Sequence, residues 1–201
     1  MTTKEKQVGK NAQKYWDQRD LPALVRLCPS PQGGKNPEVL YYAGLAYHAL
    51  NKKREAIECW RKAKELFPED DRPIRALAFE LAEKDPVGAS ELFHRLIGLN
   101  RAQADDLTAL GEICIKQDRL SEAQRWLERA LEMDKENSLA LLSMATLYAH
   151  VRGHDLVLDY LRRVAQTGDI DLADLASDPE FEFLWHDAEF EKIVSQNGKK
   201  S

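Results

Sequence analysis

The feature that most constrains this chain is a spacing. Counting from Ala56, small or apolar residues return at Ala89, Ala123 and Val157, in steps of 33, 34 and 34. A second series, Ala63, Leu96, Ala130 and Val164, moves with the same steps. Two more run beside them: Gly44, Ala78, Gly111 and Ala145, and Tyr47, Leu81, Cys114 and Tyr148. Four positions drifting together over about 34 residues describe one structural unit used several times. Such a unit cannot bury its apolar stripe alone and must cover it with the next copy, so a stack is predicted in place of a single core.

The clearest copy is residues 36–70, NPEVLYYAGLAYHALNKKREAIECWRKAKELFPED, which reads as two amphipathic helices back to back. Leu40, Ala43, Gly44 and Tyr47 belong to the first, Ala56, Trp60 and Ala63 to the second, and Pro68 closes the unit. Small residues fall where the helices must touch: Gly44 lets the first approach the second, Ala56 and Ala63 do the same from the other side, and Tyr47 and Trp60 fill the remaining space. This order of residues resembles the tetratricopeptide repeat, with Leu40 where that family often has Trp and Ala43 where it often has Leu. The resemblance implies an all-α fold, a right-handed helical-repeat solenoid of antiparallel helix pairs, as against an irregular helical bundle.

Taken in order, residues 1–35 are expected to form a degenerate N-terminal capping helix pair and linker, frayed as far as Lys10, with Pro22 at a helix start and breakers from Pro29 through Gly34. Four repeats follow, at about 36–70, 71–103, 104–137 and 138–168. In the second, the turn Lys84-Asp85-Pro86 is one residue short, which accounts for the single step of 33. Residues 169–196 are acidic, with Ser177 as the expected N-cap and a last short helix around Phe190, Ile193 and Val194. Asp178, Pro179, Phe181, Leu184, Asp187 and Phe190 resemble the closing segment that many microbial tetratricopeptide proteins place after their last repeat, which implies a C-terminal cap. Residues 197–201 are expected to be a mobile tail.

With 43% hydrophobic and 31% charged residues, the 201-residue chain can bury a substantial core and is not disordered in composition. A net charge of −5 argues against generic nucleic-acid binding. The start, MTTKEKQVGKNAQKYW, lacks the apolar run of a signal peptide, and no stretch reaches the length of a membrane span, so a cytoplasmic location is expected. Cys28, Cys59 and Cys114 are odd in number and read as small core residues in a reducing compartment.

Nothing in the chain compels catalysis. His150 and His154 could share a helix face as metal ligands, but Gly153 is expected to end the helix between them. Gly33-Gly34-Lys35 resembles a phosphate loop only superficially and reads as linker. His48 and His94 have no Ser or Cys at a spacing that demands a nucleophile, and Asp105 with Glu112 is a common surface pair. Lys52-Lys53-Arg54 reads as a solvated turn, and Arg162-Arg163 as an exposed helix face. No catalytic residue, cofactor or metal site is expected.

The resemblance implies that the first helices line a concave groove for a peptide segment or partner helix. Carried onto this sequence, the groove positions are Tyr41, Leu45 and His48; Arg72, Arg75 and Phe79; Asp105, Thr108, Glu112 and Ile115; Leu142 and Thr146. The family's clamp for a terminal carboxylate is missing, since its places hold Tyr41, Leu45, Ala76, Asp105 and Ala109. The groove would be aromatic and basic at one end, acidic in the middle and apolar at the other, with apolar burial at Tyr41, Leu45, Phe79 and Ile115 and orientation set by Arg72, Arg75 and Glu112. The expected function is a non-enzymatic adaptor whose partner is another protein, with no small-molecule substrate. The alternatives are a homo-oligomeric scaffold built by stacking of the apolar fourth repeat and, less favoured, a nucleic-acid-binding repeat using Arg72, Arg75 and Phe79 against the opposing Asp105 and Glu112.

Overall fold

The computed structural model describes residues 3–29 and 33–197, and the chain divides into two compact units, Met1–Arg101 and Ala102–Ser201. The first unit holds α1 (Thr3–Asp17), α2 (Leu21–Leu27), α3 (Pro37–Ala49), α4 (Lys53–Leu66), α5 (Asp71–Leu81) and α6 (Pro86–Gly98). The second holds α7 (Ala104–Lys116), α8 (Leu120–Met133), α9 (Ser138–His150), α10 (His154–Thr167), two short 3-10 helices (Ala173–Ser177 and Pro179–Leu184) and α11 (Ala188–Asn197). Within each unit consecutive helices pack as pairs, α3 on α4, α5 on α6, α7 on α8 and α9 on α10.

The recurring positions are the contact points of these pairs. Ala56, Ala89, Ala123 and Val157 are all fully buried, as are Leu96, Ala130 and Val164, while Ala63 is 1% exposed. Gly44 has no room for a side chain: a Cβ there would lie 2.2 Å from Trp60 Nε1 and 2.6 Å from two further ring atoms. At the matching Gly111 it would lie 2.6 Å from Leu127 Cγ. The close approach of first to second helix therefore depends on the missing methyl group.

Four of the pair turns share one backbone device. The amide of Lys52 donates to the Tyr47 carbonyl and that of Asn51 to His48, both at 2.8 Å. Asp20 and Arg19 do the same at the end of α1, Arg119 and Asp118 at α7, and Gly153 and Arg152 at α9. These paired bonds require one left-handed residue, supplied by Arg19, Asn51, Asp118 and Arg152, with φ between 51° and 58°. The α5–α6 turn has none: Leu81 and Ala89 are one residue closer in sequence than Tyr47 and Ala56, and Asp85 stays at φ −139°. The missing residue of the second repeat is thus the left-handed one.

The N-terminal region differs from expectation. Residues 3–10 are not frayed but helical, because α1 packs on α3: Ala12, Leu24, Val39 and Ala46 form one buried cluster with Val8, Tyr15, Trp16 and Tyr42. Asn36, 1% exposed, joins them; its Oδ1 accepts from the amides of Glu38 and Val39 as the cap of α3, and its Nδ2 donates to the Glu5 carbonyl at 2.7 Å. Asn36→Ala removes both the cap and the tie to α1 and is expected to cost the first unit about 2 kcal/mol, read as a lowered urea midpoint.

The closing segment also departs in detail. Asp178, not Ser177, caps the Pro179–Leu184 helix by accepting from the Glu180 amide at 2.9 Å, while Ser177 donates to the Asp174 carbonyl at 3.2 Å. Phe181, Leu184, Phe190, Ile193 and Val194 are buried against Leu141, Val157, Leu161 and Val164, with Phe181 and Phe190 stacked at 6.1 Å. The apolar face of α10 on which self-stacking would rely is therefore occupied by the chain's own C-terminal segment. The expected mobility of 198–201 lies outside the described residues.

Candidate functional site

In the first unit, the nominated residues fall on α3 and α5 but are largely engaged with each other. Arg72 forks onto Glu38 (3.0 and 2.8 Å) and onto Asp70 (3.0 and 2.8 Å), and its guanidinium lies 4.9 Å from the Tyr41 ring centre. Arg75 pairs with Asp71 at 2.8 Å and donates to the Arg101 carbonyl at 2.7 Å. These two arginines tie helix ends together, so each already carries partners within the chain. Desolvation pushes the Tyr41 hydroxyl up, and Arg72 offsets part of that. His48 is bonded to Glu80 at 2.7 Å, and Lys53, which opens α4 instead of lying in a loop, reaches the same carboxylate at 3.3 Å. Leu45 is half-buried, and Phe79 is 44% exposed while its ring meets the edge of Phe93 at 5.1 Å.

The second unit contains an open cavity of about 300 Å³ between α7 and α9, and four nominated residues line it: Glu112, Ile115, Leu142 and Thr146. Lys116, Leu139, Ser143 and Glu180 complete the wall. Leu139 is 51% exposed, so the cavity offers an apolar floor at its mouth, with Glu112 and Glu180 as acidic rim and Lys116 as the opposing charge. Thr108 is not available: it is 2% exposed and donates to the Ala104 carbonyl at 3.0 Å within its own helix. Ile115, 6% exposed, is mainly a core residue beside Leu127 and Leu147. Asp105 is exposed and accepts from Asn137 Nδ2 at 2.7 Å.

Leu139 and Ser143 were missed, although with Leu142 and Thr146 they follow the i, i+3, i+4, i+7 pattern of one helical face. Glu180 carries no such signal, since it enters the rim only through docking of the closing segment.

A second pattern emerges from these bonds. Glu38–Arg72, His48–Glu80, Asp105–Asn137 and Glu112–Ser143, the last at 2.9 Å, join residues 34, 32, 32 and 31 apart. Each is a polar rung from the first helix of one pair to the start or first helix of the next within the same unit. One repeat period separates the partners, so polar residues at that spacing are the signal that finds them.

His154 bonds Asp155 at 3.0 Å and Asp187 at 2.9 Å, which raise its imidazole from the ordinary value, whereas His150 lies on α9 with Glu180 4.0 Å away. The two histidines thus face different partners. Arg162 bonds Glu189 at 2.6 Å, and the Arg163 guanidinium lies 5.2 Å from the Tyr160 ring centre. His94 bonds the Ser90 carbonyl at 2.7 Å. Among the described residues no group of three or more His, Cys, Asp or Glu is arranged to hold a metal ion, and no helix is long and apolar enough to cross a membrane.

Antiparallel pairs that repeat at one period, touch through small residues and are laced along their first helices define a helical-repeat protein of the interaction class. The chain belongs to the tetratricopeptide repeat family, whose models match residues 37–70 and 80–150, together just over half of its length. That family consists generally of non-catalytic adaptors and scaffolds for other proteins. No curated protein matches the sequence. Among solved structures the chain is similar to PilW, a type IV pilus biogenesis factor (15% identity, TM-score 0.79, 98% of this chain and 93% of that one). It is also similar to MamA (19% identity, TM-score 0.66, 78% and 93%) and to YrrB, a tetratricopeptide protein with an unusual peptide-binding site (14% identity, TM-score 0.60, 87% and 90%). At these identities the likeness concerns the fold alone.

Proposed function

We propose that the chain is a non-enzymatic adaptor that seats a segment of another protein against the first helices of its repeats, read as residues 36–70, 71–103, 104–137 and 138–168. In the second unit the seat is the cavity between α7 and α9. The observation that carries this reading is the coincidence of that cavity with Glu112, Ile115, Leu142 and Thr146, the groove positions that the family resemblance implies for these two repeats. The fold similarity to YrrB, itself a peptide binder, agrees with it.

Leu139 and Leu142 supply apolar contact, and the Glu112 and Glu180 carboxylates favour a segment that carries a Lys or Arg beside its apolar residues. Tyr41, Leu45 and Phe79 of the first unit remain candidate contacts, with Phe79 the most exposed apolar one.

Panning a displayed peptide library against the full chain tests this. The expected result is enrichment of apolar segments with one basic residue, and at least tenfold weaker binding by Leu142→Asp with helicity unchanged. Leu156→Asp, on exposed surface of α10, is the matched control and keeps full binding. Enrichment indifferent to Leu142→Asp overturns the assignment.

A further inference from the structure

We propose that Cys28 and Cys59 are a disulfide-forming pair, a modification site through which a hydroperoxide locks the end of α2 onto α4. The two thiols are free, and their sulfurs stand 3.4 Å apart across 31 residues of sequence. That is sulfur–sulfur contact, and a bond of about 2.05 Å forms from it when the two side chains rotate toward each other. A cavity of about 220 Å³ opens onto both, lined also by Tyr47, Glu55, Glu58 and Lys62, and has room for a peroxide molecule. Cys28 is partly exposed and Cys59 is 7% exposed, so an oxidant meets Cys28 first.

The charges favour that order. The hydrogen bond from Cys59 lowers the Cys28 thiol below its ordinary value; desolvation opposes this, Lys62 assists and Glu58 opposes. The same hydrogen bond and burial raise Cys59, which leaves it protonated until its partner is oxidised. Cys114 has neither feature: burial, helped by the Glu122 charge, pushes it up against Arg119 and Arg125, and no second cysteine belongs to its cluster with Ala123, Leu127 and Met144.

The chemistry balances in two steps. The Cys28 thiolate attacks one peroxide oxygen; an S–O bond forms, the O–O bond breaks, and the departing hydroxide takes a proton to become water. Sulfur is oxidised to a sulfenic acid as the peroxide is reduced. The Cys59 sulfur then attacks the Cys28 sulfur; an S–S bond forms, the S–O bond breaks, and the leaving hydroxide takes the proton that Cys59 releases. Two thiols and one hydrogen peroxide thus give one disulfide and two waters. The bond closes a loop that contains α3, and loops of this size constrain the unfolded chain enough to raise the stability of the first unit.

The test treats the full chain with hydrogen peroxide, alkylates remaining thiols and maps the peptides by mass spectrometry. The expected result is a Cys28–Cys59 cross-linked peptide, an intact mass lower by two hydrogens, and alkylated Cys114. A thiol reductant should reverse it and lower the melting temperature by several degrees. In Cys59→Ser the Cys28 sulfenic acid should persist and be trapped by a 1,3-dione reagent. Full alkylation of Cys28 and Cys59 after oxidation, or disulfides only between molecules, overturns the proposal.

Discussion

Replacing Gly44 by alanine is expected to destabilise the first unit by about 3 kcal/mol, although alanine is the better helix former by about 1 kcal/mol. The new Cβ would lie 2.2 Å from Trp60 Nε1, and the indole, 2% exposed and donating to the Tyr41 carbonyl at 3.3 Å, has nowhere to retreat. To relieve the overlap, α3 and α4 must separate. Urea unfolding followed by tryptophan fluorescence measures the loss. Gly98→Ala is the internal control: nothing lies within 4 Å of a Cβ there, so that variant is expected to be neutral or to gain up to about 1 kcal/mol. A Gly44→Ala protein as stable as the parent would refute the close-contact account of the 34-residue pattern.

The second large effect concerns the closing segment. Phe190→Ala removes a 1%-exposed ring stacked on Phe181 and is expected to cost about 3–5 kcal/mol, a loss that falls first on the docking of α11. Undocking uncovers the side of the Leu141, Val157, Leu161 and Val164 cluster that the segment covers and produces an apolar patch of the kind that drives association. Sedimentation at several concentrations should then report oligomers for the variant. If the variant loses the segment yet stays monomeric at every concentration, self-stacking through the fourth pair has no support. Association of the parent chain at the same concentrations would instead require a surface other than this one.

Helix order, pairing and the small residues at each contact were legible because they obey one period, and the period follows from each pair's need for a neighbour. Depth was not legible. The register places Thr108 and Glu112 on the same face, but only the packing of α7 puts the first inside and the second at a cavity rim. Ion pairing was not legible for a related reason: the acceptors of Arg72 and Arg75, namely Glu38, Asp70, Asp71 and the Arg101 carbonyl, become their neighbours only on folding. The expected fraying of residues 3–10 failed because composition says nothing of Asn36 reaching the Glu5 carbonyl. Cys28 and Cys59 were read one at a time as fillers, since neither lies on a repeat anchor that would align them.

The rungs between successive first helices bear on how a partner would be received. Glu38–Arg72 and His48–Glu80 in one unit, and Asp105–Asn137 and Glu112–Ser143 in the other, fix the spacing of the surface that a segment would contact. A ligand arriving on a surface whose side chains are already immobilised loses little of its affinity to rearranging the receptor. A heat capacity change that matches the apolar area buried at the contact, with no further contribution from ordering of the receptor, is the calorimetric mark of such a surface.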